Sequence, residues 1–147
     1  MTRLLGVAAL LGGGITAGVL FAVALSVVPA LFAMETGTYV HAHRLLGRNW
    51  DPTMPVIVLS SALANGVLAV RTSEALFWAA VVLLLGVSAV SHLCNVPINR
   101  RVKSVTDPSS LPADWEDPRP LWRRWHLLRT ALAVLALAAT AAAVTAS

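Results

Sequence analysis

The chain has 147 residues, 57% hydrophobic and only 12% charged, with a formal net charge of +4. Soluble domains carry about 25% charged residues, so this composition and a mean hydropathy of +0.74 exclude an ordinary soluble domain and predict an integral membrane protein. The apolar residues fall in long blocks without the dyad alternation of a membrane barrel. Acidic residues are interleaved in the loops, so the net charge calls for no nucleic-acid partner.

The first block runs uncharged from Leu4 to about Met34. It is about twice the usual 7–15-residue core of a signal peptide, and it reads as a span over 4–34, with Pro29 kinking it or ending its regular part. Within GGGITAG, Gly14 and Gly18 stand four residues apart, a spacing that permits close helix contact. The second block predicts a helix over 54–71, short for the roughly 17–25 residues a span needs. The third predicts 75–97 and the fourth 121–145. Between them, 98–120 contains SVTDPSSLPADWEDPRP, a proline-, aspartate- and serine-rich loop. The expected fold is therefore all-α: one domain over 1–147, a four-transmembrane-helix bundle with both termini on the same side.

Basic residues orient the spans. Arg3 and Arg71 lie on the side of the termini, against Arg44, Arg48, Arg100, Arg101, Lys103, Arg119, Arg123 and Arg124 on the other. Basic loops stay cytoplasmic, so the termini are expected outside and the larger loops inside, in the plasma membrane if the source is bacterial. The single cysteine, Cys94, cannot form an internal disulfide.

Polar groups gather at the basic end. In the third block Ser88, His92, Asn95 and Asn99 fall at i, i+4, i+7 and i+11, one face of a helix. Lipid cannot satisfy them, so that face should turn into the bundle, as interhelical glue or as a site. In the fourth block Trp122, His126 and Arg129 stand at i, i+4 and i+7, with Arg129 about 12 Å into the block at 1.5 Å per residue. A guanidinium at that depth needs acceptors. Trp122 reads first as an interfacial belt residue, and Trp125 equally as belt or substrate contact. Glu35, Tyr39 and His43 share a face if the first helix continues, with His41 off it. Ser61 and Asn65 are one turn apart in the second block. A bound transition metal, copper or iron, would draw on His41, His43, His92, His126 and Glu35. No compact ligand spacing such as H-E-x-x-H occurs, so no metal is assigned.

NVPIN at Asn95–Asn99, followed by WRRWHLLR at Trp122–Arg129, resembles the anthrone oxygenase-like family of small four-helix membrane proteins. GVLFAVALSVVPAL at Gly18–Leu31 is similar to that family's first helix. Two positions depart from the pattern: His126 replaces an asparagine expected there, and Ser91 replaces a common threonine, which bears on the substrate more than on the fold. The resemblance implies oxidation of an anthrone to an anthraquinone with molecular oxygen, in aromatic polyketide pathways. An anthrone methylene is acidic because its anion is aromatic, and that anion can react with O2 without a cofactor. Such an enzyme needs a base, a donor for the oxyanion and a flat apolar slot. On this reading His126 or His92 is the base, and Arg129 with Asn95 and Asn99 meets the oxyanion. Trp122 and Trp125 flank the rings, with Tyr39 and Asn65 as further substrate contacts. The expected partners are the bilayer and a hydrophobic aromatic molecule, and an oligomer is left open. The alternatives are a non-catalytic membrane subunit or small-molecule binder, and a histidine-ligated metal-dependent oxidase.

Overall fold

In a computed structural model, described here over residues 2–107 and 111–146, four helices are long and apolar enough to cross a membrane: α1 (Thr2–Ala33), α2 (Thr36–Thr72), α3 (Ala75–Ser104) and α4 (Arg119–Ala146). They pack as a ring, α1 against α2 and α4, and α3 against α2 and α4. Outward-facing side chains such as Leu4, Leu63, Val82 and Leu93 are exposed, as expected where the solvent is lipid. Lipid contact follows from this architecture.

Three apolar clusters are stacked along the bundle. Ala9, Leu68, Ala69, Phe77 and Ala143 pack at the end that carries both termini. Ala17, Leu20, Val58, Leu84, Val87 and Ala133 fill the middle. Leu31, Tyr39, Val40, Val102 and Val105 form the far end, where Leu111 and Trp115 of the α3–α4 loop fold back onto them. The candidate site lies between the middle and far clusters.

Two predicted boundaries are corrected. The second helix was expected over 54–71 but begins at Thr36, so that Pro52 and Pro55 lie inside it. Helices in membranes tolerate proline where neighbours re-satisfy the freed backbone. The third helix was expected to end at residue 97 and runs to Ser104, which shortens the 98–120 loop. Of that loop's proline- and serine-rich segment, residues 108–110 lie outside the described residues.

Both α1 and α3 contain a widened π-helical turn, Val23–Val27 and Ser91–Asn95. Each precedes a proline, Pro29 and Pro97, in the first turn of the regular helix that follows. Proline lacks an amide hydrogen and clashes with the carbonyl four residues before it, and a wider turn makes room for that carbonyl.

The turns between helices are built from side-chain caps. Ser73 takes the left-handed conformation (φ 58°) that ends α2, and the Glu74 side chain accepts from the Leu76 amide to start α3. At the far end the Nη1 of Arg119 donates to the Leu31 and Met34 carbonyls at 3.0 and 2.8 Å, groups that a helix C-terminus leaves unpaired. The guanidinium pairs with Asp117 at 2.7 Å and lies over the Tyr39 ring at 5.0 Å. That bond holds the Asp117 carboxyl below its ordinary range.

The close approach expected at Gly14 and Gly18 occurs elsewhere. A side chain at either would meet nothing within 4 Å, whereas a Cβ on Gly12 would run into the Oγ of Ser61. The α1–α2 contact is therefore set at Gly12.

Candidate functional site

A cavity of about 490 Å³ opens between the helices at the far half of the bundle, within the usual range of roughly 300–1,000 Å³ for small-molecule sites. Its deep wall is apolar, from Leu20, Val23 and Val27 on α1, Met54 and Val58 on α2, and Val87 on α3. Both widened turns border it, through Val23 and Val27 and through Ser91 and His92. At its mouth stand Arg100 and an ion pair between Lys103 and Asp51 that ties α3 to α2.

Trp122 organises the polar wall. It is 8% exposed, so it is no belt residue. Its indole stacks on the His126 ring (4.9 Å, 6°) and meets His43 edge-on (5.6 Å, 75°). Its Nε1–H donates to Asn99 Oδ1 at 2.9 Å, and the same oxygen receives His43 Nε2–H at 3.1 Å. An indole N–H can only donate, so the amide oxygen of Asn99 is assigned by its partners. His43 in turn rests edge-on against Tyr39 at 5.5 Å.

His126 is fully buried and uses both ring nitrogens. Its Nε2–H donates to the Leu20 carbonyl at 3.0 Å, just upstream of the widened turn in α1. Its Nδ1 accepts from Arg129 Nε at 3.2 Å and Nη2 at 2.9 Å. A carbonyl cannot donate and a guanidinium cannot accept, so the tautomer is decided by the two partners. Arg129 Nη1 donates to Ser91 Oγ at 3.2 Å, and that hydroxyl donates to the Val87 carbonyl.

The ion pairs among the described residues are Lys103–Asp51 and Arg119–Asp117. Arg129 therefore stands at the cavity wall with neutral acceptors only. The nearest carboxylate influence on it comes from Asp51, also on the cavity lining and already paired with Lys103. A cation partly out of water without an ion-pair partner is costly, and it can stabilise negative charge that appears beside it.

The sequence-expected residues divide accordingly. His126, Arg129, Asn99, Trp122 and His92 line the cavity. His92 sits exposed at its rim, its Nδ1–H bonded to the Ser88 carbonyl at 2.9 Å. Asn95 does not line it: its amide nitrogen donates to the Trp122 carbonyl, and its Oδ1 is buried without a partner among the described residues. Tyr39 is buried behind His43, and Trp125 is half-buried away from the cavity. Asn65 belongs to the other half of the bundle, where it accepts from Thr140 Oγ1 at 2.9 Å. Of the metal candidates, Glu35 and His41 are exposed, and among the described residues no three His, Cys, Asp or Glu side chains come together. Sequence reasoning missed Asp51 and Met54 as cavity residues, because Pro52 and Pro55 read as the edge of a helix, and Lys103, because the third helix was expected to end at residue 97. It placed His43 on a polar face with Tyr39 and among the metal candidates, but gave it no catalytic or substrate-binding role.

No curated protein and no solved structure matches the chain. The anthrone oxygenase family model matches residues 42–139, a stretch that holds His43, Asn99, Trp122, His126 and Arg129 and leaves all of α1 and the first residues of α2 outside it. With more than half of its length matched, the chain belongs to the anthrone oxygenase family.

Proposed function

We propose that the protein is a membrane-embedded oxygenase that converts a hydrophobic anthrone-like aromatic, a polyketide-type substrate, to a quinone with O2. The observation that carries this reading is Arg129, a cation with only neutral protein acceptors, set in the wall of an otherwise largely apolar cavity. Loss of a proton from an anthrone methylene puts negative charge on the ring-system oxygen. A guanidinium aimed at that oxygen stabilises the anion and is already paid for in the fold. The aromatic anion then supplies electrons to O2 directly.

In this scheme His126 positions Arg129: its Nδ1 lone pair is engaged by the guanidinium, and Leu20 holds its other nitrogen. Trp122 offers an aromatic wall. The apolar slot suits a multi-ring substrate that partitions into lipid, and the bias of basic residues to this end of the bundle supports a site near the cytoplasmic leaflet. The test is O2 uptake and quinone absorbance with anthrone and the detergent-purified protein. Turnover above the protein-free rate is expected, with kcat falling about 10²–10³-fold in Arg129→Met. A wild type that leaves anthrone at its spontaneous oxidation rate would refute the reading.

A further inference from the structure

We infer that His43, through Nδ1, is the group that takes the proton from the substrate carbon; the inference rests on the oxygenase reading above. Three histidines line the cavity, and their hydrogen bonds rank them. His126 has no free nitrogen, since Arg129 holds Nδ1 and the Leu20 carbonyl holds Nε2. His92 keeps one nitrogen free, but it is exposed at the rim of the cavity. His43 is 6% exposed and its orientation is set from three sides, by Asn99, Tyr39 and Trp122.

The tautomer follows from Asn99. Its Oδ1 accepts from Trp122 Nε1–H, so the nitrogen of His43 that meets the same oxygen must carry the hydrogen. The lone pair is therefore on Nδ1, which has no protein partner among the described residues and, unlike Asn95 Oδ1, is not sealed in the packing. A base needs such a nitrogen: oriented, in the correct tautomer and open to the site. Asn99 is a positioning residue here, in the role that an orienting acceptor plays behind a catalytic imidazole. Arg129 and His43 both stand around Trp122, at 5.9 and 5.6 Å from its ring, so the proton acceptor and the anion's counter-charge flank one aromatic wall.

The chemistry balances with O2 as the oxidant. A C–H bond of the methylene breaks, its proton goes to Nδ1, and its electron pair enters the aromatic oxyanion beside Arg129. That pair forms a C–O bond with O2, and the resulting hydroperoxide anion recovers the proton from the imidazolium. The second C–H proton then leaves to the same nitrogen while the O–O bond breaks. One oxygen atom stays as the new carbonyl and the other departs with two protons as water. Four electrons pass from carbon to O2.

The experiment separates the proton step from oxidation. Anthrone deuterated at the methylene is given anaerobically to the detergent-purified protein, and loss of deuterium to water is followed by mass spectrometry; O2 uptake is measured in parallel. Wild type should accelerate both over the protein-free rate. His43→Gln should lose both by about 100-fold or more with little change in KM, and imidazole should restore part of the activity of His43→Ala. His43→Gln that exchanges deuterium like wild type overturns the proposal, as does a loss found instead in His92→Gln. If His43→Gln melts early, the rescue decides, and His43→Ala that stays inert with imidazole overturns it. A wild type that exchanges deuterium but consumes no O2 would sink the oxygenase reading and leave the base standing. One that does neither sinks both.

Discussion

Arg129→Met separates a catalytic guanidinium from structural glue because the two readings predict opposite signs for stability. The substitution removes three bonds, two to His126 Nδ1 and one to Ser91 Oγ. It leaves Nδ1 of a fully buried ring without a donor, which costs about 1–3 kcal/mol. Against this, it removes a half-buried cation that makes no ion pair with a carboxylate among the described residues, Asp51 attracting it only from a distance, and its removal relieves part of the several kcal/mol that desolvating an ion costs. Methionine fills much of the same volume and adapts its shape. The net expectation is a melting temperature unchanged or raised, while kcat for anthrone oxidation falls about 10²–10³-fold, or about 2.7–4 kcal/mol of transition-state stabilisation. Thermal unfolding by tryptophan fluorescence in detergent and O2 uptake on the same preparation measure the two. A melting temperature lowered by more than about 5 °C, with activity lost in proportion to folded protein, would refute the reasoning and make Arg129 a strut.

Gly12→Ala should destabilise by about 1–3 kcal/mol through overpacking, because its Cβ meets Ser61 Oγ. Most of that should return in Gly12→Ala/Ser61→Ala, while Gly18→Ala melts like wild type. Asn65→Val breaks the bond from Thr140 and should cost about 0.6–2 kcal/mol in thermal unfolding with no change in kcat, since Asn65 lies outside the cavity. The Asp117 carboxyl is held below its ordinary range by Arg119. Its contribution to stability is therefore present above the unfolded value of about 3.9 and lost as pH falls through the lower folded value. Melting curves should show that acid-side decline in wild type and a smaller one in Asp117→Asn; equal declines would exclude the pair as the cause.

Much of the architecture was legible because lipid imposes it. Four long apolar blocks without dyad alternation form helices when every backbone group must be satisfied internally, and the order of the blocks gives the ring. The 3.6 period also paired Tyr39 with His43, and both are buried, with His41 exposed; the first helix does not continue to them, though, and Glu35, expected on the same face, is exposed at the start of α2. What was not legible depends on distant partners. The Lys103–Asp51 pair joins residues 52 positions apart. The assignment of His126 as a base looked natural from its place on the Trp122–Arg129 face, yet that same spacing puts the guanidinium three residues away on its Nδ1. Proximity along the helix, which suggested cooperation in catalysis, is what engages the lone pair.

The widened turn in α3 explains why the asparagine stripe was misread and how the site is assembled. On a straight helix, at about 100° per residue, Ser91 and Asn99 point about 80° apart. One extra residue in the turn at Ser91–Asn95 sets everything beyond it back by about 100°, which brings the two within about 20°. Ser91 then faces Arg129 and Asn99 faces Trp122, both on α4. Asn95, expected beside them in the cavity, is turned instead onto the Trp122 backbone. Pro97 favours that turn by denying the helix an amide at its position. The proline of the NVPIN segment thus shapes the candidate site without lining the cavity: it rotates the end of α3 so that one asparagine bonds the tryptophan's backbone and the other meets both the indole and His43 across from it.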